Sequence, residues 1–278
     1  MNLQEEYQKL GEVITECDHR GDYVGLAKHM ERYLELTGEI HGFDSAEYAT
    51  TLNDYGGIHR DIGNNRIAEE AFLKSAGLIA KLAGENDPDY GSVLNNLAGL
   101  YRLMKDYNNA EIYFAKALDI YKNALGEEHF LYISGLNNLG LVYQDQGRFE
   151  EAEKLHRHSL DLLEKANDNP IAIATTMNNL ASALRQMGQL DEVEGLLKGA
   201  LQIYGEKLGE NHSLYAYGLN NLAAYYMTSG NYELAGIFYK RSLDICTVLF
   251  GKDSRNYDIS RRNYEYAVQK AKEAGMQA

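Results

Sequence analysis

Only two prolines occur in the 278 residues. Proline removes a backbone donor and clashes with the preceding helical turn. Its scarcity, beside abundant tyrosine and alanine, suits an all-helical chain. The two cysteines, Cys17 and Cys246, stand far apart and outside any CxxC spacing. That argues against a disulfide framework and for a reducing, cytoplasmic compartment. No apolar run approaches the roughly 20 residues of a membrane-spanning helix. The opening Met1-Asn2-Leu3-Gln4-Glu5-Glu6 is acidic and polar, unlike a secretory signal. Basic residues are outnumbered, 27 Lys and Arg against 41 Asp and Glu, for a net charge of −14. Such a balance disfavours nucleic acid and anionic membranes as partners.

Motifs for chemistry are also missing. The sequence contains no phosphate-binding glycine loop and no nucleophile elbow. His156-Arg157-His158 places its imidazoles at i, i+2, where they diverge on a helix, whereas a helical metal pair wants i, i+4. His129 and His212 fall at the same loop site as Asp87 and Ser254 and read as helix starts. Glu69-Glu70 and Glu150-Glu151 belong to solvated helix faces, and Cys17 reads as packing. The expectation is a non-enzyme without metal or cofactor.

What the sequence does have is a period. Leu-Asn-Asn-Leu occurs at residues 94–97, 136–139 and 219–222, with variants at 177–180 and 52–55. The first Asn of each copy stands at Asn53, Asn95, Asn137, Asn178 and Asn220, in steps of 42, 42, 41 and 42. One further step lands on Arg262, followed by Asn263-Tyr264. A fixed period of this size signals a repeat solenoid, in which each unit buries its core against its neighbours and the stack offers a long concave binding surface.

One copy, 87–128, illustrates the unit. Asp87-Pro88 is a helix start, because Asp caps free N–H groups and Pro tolerates the first turn. The first helix is expected to run to about Met104. At about 100° per residue, Tyr90, Leu97 and Tyr101 share one face. Ala98 borders that stripe and is matched by Gly56, Gly140, Ala181 and Ala223, so a second helix can approach closely. Lys105-Asp106 makes a turn where other copies have Gly63, Gly147, Gly188 and Gly230. The second helix, about Asn108 to Ala124, carries Ala110, Phe114, Ala117, Leu118 and Tyr121 at helical spacing. A glycine loop closes each unit: Gly84, Gly126, Gly209, Gly251.

Small residues at the helix crossing, a Tyr one turn later, then Gly, aromatic, Ala, aromatic, Ala: the pattern resembles the tetratricopeptide repeat. The 42-residue period, the Asn-Asn pair and the Gly-x-x-His loops (Gly126–His129, Gly209–His212) resemble the kinesin light chain variety. The resemblance implies an all-α, right-handed superhelical solenoid of antiparallel helix pairs. About six repeats are expected within a single domain over 1–278: a degenerate one at 2–42, then 45–86, 87–128, 129–169, 170–211 and 212–253. A capping helix is expected at 254–275. The degenerate repeat rests on Gly21-Asp22-Tyr23, in phase with Gly230-Asn231-Tyr232. The one-residue deletion is placed in the loop Ala166–Pro170.

The first Asn of each pair lies about 120–160° from the core stripe. The resemblance implies that this face lines the concave groove and that its Asn and basic residues hold a peptide. Seven residues further on come Arg60, Arg102, Gln144, Arg185 and Met227, while Arg262 replaces the Asn in the capping helix. Gly57, Gly99, Ser182 and Ala224 leave floor space. A carboxamide both donates and accepts, and Arg binds carboxylates in a fork. The candidate binding residues are therefore Asn53, Arg60, Asn95, Arg102, Asn137, Gln144, Asn178, Arg185, Asn220 and Arg262. Two other roles stay open: the first Asn row joins adjacent repeats, and the Arg residues pair with groove acids such as Asp61 or Asp145. The second residue of each pair and the tyrosines Tyr48, Tyr90, Tyr132, Tyr215 and Tyr257 read as scaffold.

The expected function is a non-catalytic adaptor for an extended, acidic protein or peptide segment, as a monomer or weak homodimer. Two alternatives are a self-assembly module using Tyr257 and Tyr264 of the last helix, and a peptide-responsive regulator acting through a partner.

Overall fold

The computed structural model describes residues 2–20, 23–166, 169–252 and 254–275. Among them are thirteen α-helices and no strand. In order they are α1 (Leu3–Arg20), α2 (Tyr23–His41), α3 (Ala46–Asp61), α4 (Asn65–Leu82), α5 (Pro88–Leu103), α6 (Tyr107–Leu125), α7 (Phe130–Asp145), α8 (Phe149–Ala166), α9 (Pro170–Gln186), α10 (Val193–Leu208), α11 (Ser213–Thr228), α12 (Tyr232–Phe250) and α13 (Arg255–Gly275). The fold is all-α, built of repeated helix pairs. Gly21 and Asp22, which mark the degenerate repeat, lie outside the described residues, as do Asn167 and Asp168 of the shortened loop.

The helices form two compact units, one up to Val142 and one from Tyr143. In the first, α1 packs on α2, α2 on α3, α3 on α4, α4 on α5 and α5 on α6. In the second, α8 packs on α9, and so on in chain order to α13. The sequence explains where these helices begin. The Asp87 carboxylate accepts from the Asp89 N–H at 2.8 Å, and Pro88 occupies the first turn. Ser45, Ser254 and the Nδ1 atoms of His129 and His212 cap the same position in other copies. Both histidines are thus helix starts, as their loop position suggests.

Close approach at the helix crossing is equally plain. A Cβ added to Gly56 of α3 would sit 2.8 Å from the Phe72 ring of α4. Ala98, Ala181 and Ala223 are almost wholly buried at the same phase. Lys105 is the informative exception among the turns. Its φ of 63° matches the positive φ of Gly63, Gly147, Gly188 and Gly230, so a lysine holds the left-handed conformation that glycine holds elsewhere.

Hydrogen bonds repeat with the period. Ser75 of α4 donates to the Ala49 carbonyl of α3, and Ser242 of α12 does the same to Ala216 of α11. Tyr101 donates to Glu69, and Tyr226 to Glu194, each at 2.6 Å. Near the far end of the second helices, Tyr121 donates to Ser92, and Tyr204 shares a hydrogen bond with Thr175. These two tyrosine rings lie against Gly135 and Gly218 of the following first helix.

Candidate binding groove

The Asn-Asn signature forms a ladder between first helices. In the first unit, Asn96 Nδ2 donates to Asn53 Oδ1 at 3.0 Å, and Asn138 Nδ2 to Asn95 Oδ1 at 3.2 Å. In the second, Asn221 donates to Asn178 at 3.2 Å and Asn263 to Asn220 at 3.0 Å. Every one of these bonds spans 43 residues, from the second Asn of one repeat to the first Asn of the repeat before. Where the acceptor is missing the donor is missing as well: Gly11 stands one period before Asn53, and Asp54 takes the place of the second Asn. A carboxylate has no N–H to give.

Four of the five first asparagines, Asn53, Asn95, Asn178 and Asn220, therefore join adjacent repeats through their oxygens. The side-chain nitrogens of this row differ from copy to copy. Those of Asn53, Asn95 and Asn220 have no partner among the described residues, and these side chains are half-buried. Asn137 is half-buried and already engaged. Asn178 is wholly buried, with its Nδ2 on the Ala174 carbonyl at 3.4 Å. It has no surface to offer a ligand, which removes it from the row of accessible carboxamides.

The flanking row is less uniform than its spacing suggests. Arg60 is tied to Asp61 through Nε at 2.9 Å, and Gly99 of the next first helix lies beneath its guanidinium. Arg102 is half-buried and partnered. Gln144 is turned inward: its Nε2 lies 2.8 Å from His156 Nε2 and donates to the Asn179 carbonyl at 3.1 Å. It belongs to the interior rather than to a binding row. Arg262 is exposed, with Nε on the Asp258 carbonyl of its own helix. Arg185 stands apart. It is half-buried, and burial holds its pKa below the ordinary value. No hydrogen bond or ion pair reaches it from the described residues.

His156 is a core residue, a role that its i, i+2 spacing from His158 does not reveal. It is fully buried, and burial pushes its pKa down to about 4. Its position is in phase with Phe72, Phe114, Leu197 and Tyr239. That phase was the signal of a core histidine needing an interior partner. Among the tyrosines, Tyr48, Tyr132 and Tyr215 are buried and Tyr90 and Tyr257 half-buried, so they line the core. No group of described residues could hold a metal ion, and no described helix is long and apolar enough to cross a membrane.

Residues 89–165 and 172–247, more than half of the chain, match the profile of the tetratricopeptide repeat. The chain belongs to the tetratricopeptide repeat family. Its repeats are of the kinesin light chain-like form, and the fold is that of a protein–protein interaction scaffold. No curated protein matches it in sequence. BtubC (BKLC) from P. vanneervenii is similar in fold, with 19% identity, 92% of this chain and 95% of that one covered, and a TM-score of 0.62. A Podosopora anserina kinesin light chain protein of nearly identical TPR-like repeats has 19% identity over 74% and 98% of the two chains, at 0.59. A Rap protein complexed with Competence and Sporulation Factor has 15% identity over 93% and 80%, at 0.63.

Proposed function

We propose that this repeat scaffold binds an extended, acidic segment of a partner protein along the Asn faces of its first helices. The observation that carries this reading is Arg185, a partly desolvated guanidinium with no carboxylate beside it in a chain of net charge −14. A cation in that state is stabilised by an incoming carboxylate, and the surrounding negative field discourages acidic ligands elsewhere. The ladder supports the same polarity. With Oδ1 used by the scaffold, Asn53, Asn95 and Asn220 offer N–H donors, which suit peptide carbonyls and carboxylates. Arg60 and Arg102, already partnered, are secondary contacts. The two unpaired cysteines fit a cytoplasmic setting.

The test is capture of acidic peptides, set against the same peptides with Glu and Asp replaced by Gln and Asn. Arg185→Glu combined with Arg102→Glu should abolish the preference for the acidic set while circular dichroism stays unchanged. Undiminished capture would remove the groove reading.

A second reading, self-association, is favoured by a groove between α12 and α13 lined by Ile237, Tyr264 and Val268. It requires a stable dimer in sedimentation even at low concentration, where the first reading expects a monomer or a weak homodimer that dissociates on dilution. The Rap protein, solved with a factor bound, suggests a third: a regulator that responds to a peptide.

A further inference from the structure

The second helices carry a size substitution that repeats elsewhere do not have. Tyr121 and Tyr204 are buried, fill the gap toward the following first helix, and hydrogen-bond to Ser92 and Thr175. Cys246 of α12 stands at the same phase, one period after Tyr204. Tyr217 of α11 stands where Ser92 and Thr175 stand. The large and small residues have changed places. The ring that would close the wall is absent, and a tyrosine instead lies partly exposed on the face that carries Asn220.

The exchange leaves an opening. A pocket of about 220 Å³ lies among α11, α12 and α13. Ala216, Tyr217, Phe250 and Ile259 form its apolar walls. Its floor is Cys246, whose sulfur accepts from Ser260 Oγ at 3.5 Å. Ser260 is in phase with Gly135 and Gly218, the glycines under the Tyr121 and Tyr204 rings. Asn220 is on the pocket's edge, with its oxygen held by Asn263 and its Nδ2 unpartnered among the described residues.

We infer that this pocket receives one apolar side chain of the bound segment, of leucine to phenylalanine size, while Asn220 Nδ2 holds a backbone carbonyl of the same segment. Size permits it, because an apolar cavity of about 150 Å³ already admits benzene. Chemistry permits it, because apolar walls beside the Asn220 amide, with Asn256 and Ser213 also in the lining, offer what an amino-acid residue in a peptide requires: a side chain to bury and a carbonyl to satisfy. The side chains left exposed around it, Tyr217, Phe250 and Ile259, lose water contact when it fills. The inference rests on the groove reading above and adds an anchor to it.

The test uses N-acetyl-leucinamide and N-acetyl-phenylalaninamide at millimolar concentration, with N-acetyl-glycinamide as control. Binding is followed by NMR shifts of the backbone amides in 216–220 and 256–260. The two apolar amides should shift these signals and the glycine amide should not. The double variant Cys246→Tyr with Ser260→Gly rebuilds the Tyr204–Gly218 arrangement and should abolish the shifts. Cys246→Leu, the residue type found in phase at Leu163, fills the pocket with less rebuilding and should act the same way. Thermal melts establish that each variant is folded. Absence of shifts in the unmodified protein, or equal shifts in both filled variants, overturns the inference. These probes are uncharged, so Arg185→Glu should leave their binding intact. Loss of acidic-peptide capture alone and loss of the amide shifts alone therefore separate the groove reading from the anchor.

Discussion

Asn221 donates its side-chain N–H to Oδ1 of Asn178, 43 residues earlier, and Asn178 is fully buried. The same bond joins Asn96 to Asn53 in the first unit, where Asn53 is only half-buried. One motif therefore serves in two environments, and the environments set different energies. Asn221→Ala strands a buried acceptor, which costs about 1–3 kcal/mol. Asn96→Ala exposes Asn53 Oδ1 to water, and the loss falls to about 0.5–1.5 kcal/mol. Urea denaturation of both variants checks the order. Equal losses would mean that burial of Asn178 does not govern the ladder.

Lys105 occupies a glycine conformation, with φ at 63°. A left-handed backbone costs a residue with a Cβ about 1–2 kcal/mol. Lys105→Gly should therefore raise stability by about 1 kcal/mol, which a thermal melt detects as a higher Tm. Gly147→Lys, at the corresponding turn, should lower it by a similar amount. A lowered Tm for Lys105→Gly would show that the lysine side chain makes a compensating contact.

Gly56 and Gly57 are neighbours on α3 with opposite surroundings. A Cβ on Gly56 would meet the Phe72 ring at 2.8 Å, whereas one on Gly57 meets nothing within 4 Å. Gly56→Ala should destabilise by about 1–3 kcal/mol through overpacking. Gly57→Ala should stabilise by about 0.5–1 kcal/mol, because alanine suits a helix interior better than glycine. Chemical denaturation of the pair reads both signs. It also gives a usable probe of the groove, since Gly57→Ala occupies floor space without harming the fold.

These contrasts mark what periodicity can and cannot carry. Phase alone places Ala98, Leu97 and Phe114 in the core and predicts the helix pair from Pro88 to Leu125 within a residue or two, because burial and turn chemistry repeat with the unit. Phase also sets Asn96 and Asn95 on different faces of α5. It does not say that the Asn95 oxygen is already taken, since that depends on the distance between two helices 43 residues apart. Nor does it distinguish Arg60, held by the adjacent Asp61, from Arg185, which has no acid beside it. The Cys246 pocket was hidden for another reason. It is a departure from the repeat, visible only when Tyr121, Tyr204 and Cys246 are compared as occupants of one position with known neighbours.

His156 gives the scaffold a pH dependence of predictable sign. Its folded pKa, pushed down to about 4 by burial, lies below the 6.5 of an ordinary histidine. Above about 6.5 the imidazole is neutral in both folded and unfolded chains, and its contribution to stability is complete. Between about 6.5 and 4 the unfolded chain takes up a proton that the native chain refuses, so stability falls with pH by up to about 1.4 kcal/mol per unit. Below about 4 both states are protonated and the loss levels off. His156→Phe places at this position the residue found at Phe72 and Phe114, and Gln144 keeps its bond to the Asn179 carbonyl. Urea midpoints at pH 7, 6 and 5 should fall more steeply for the unmodified protein than for the variant. The excess belongs to His156, because every other titrating group is common to both. Parallel curves would mean that the buried imidazole accepts its proton without leaving the core, and that Gln144 rotates to present its oxygen to it.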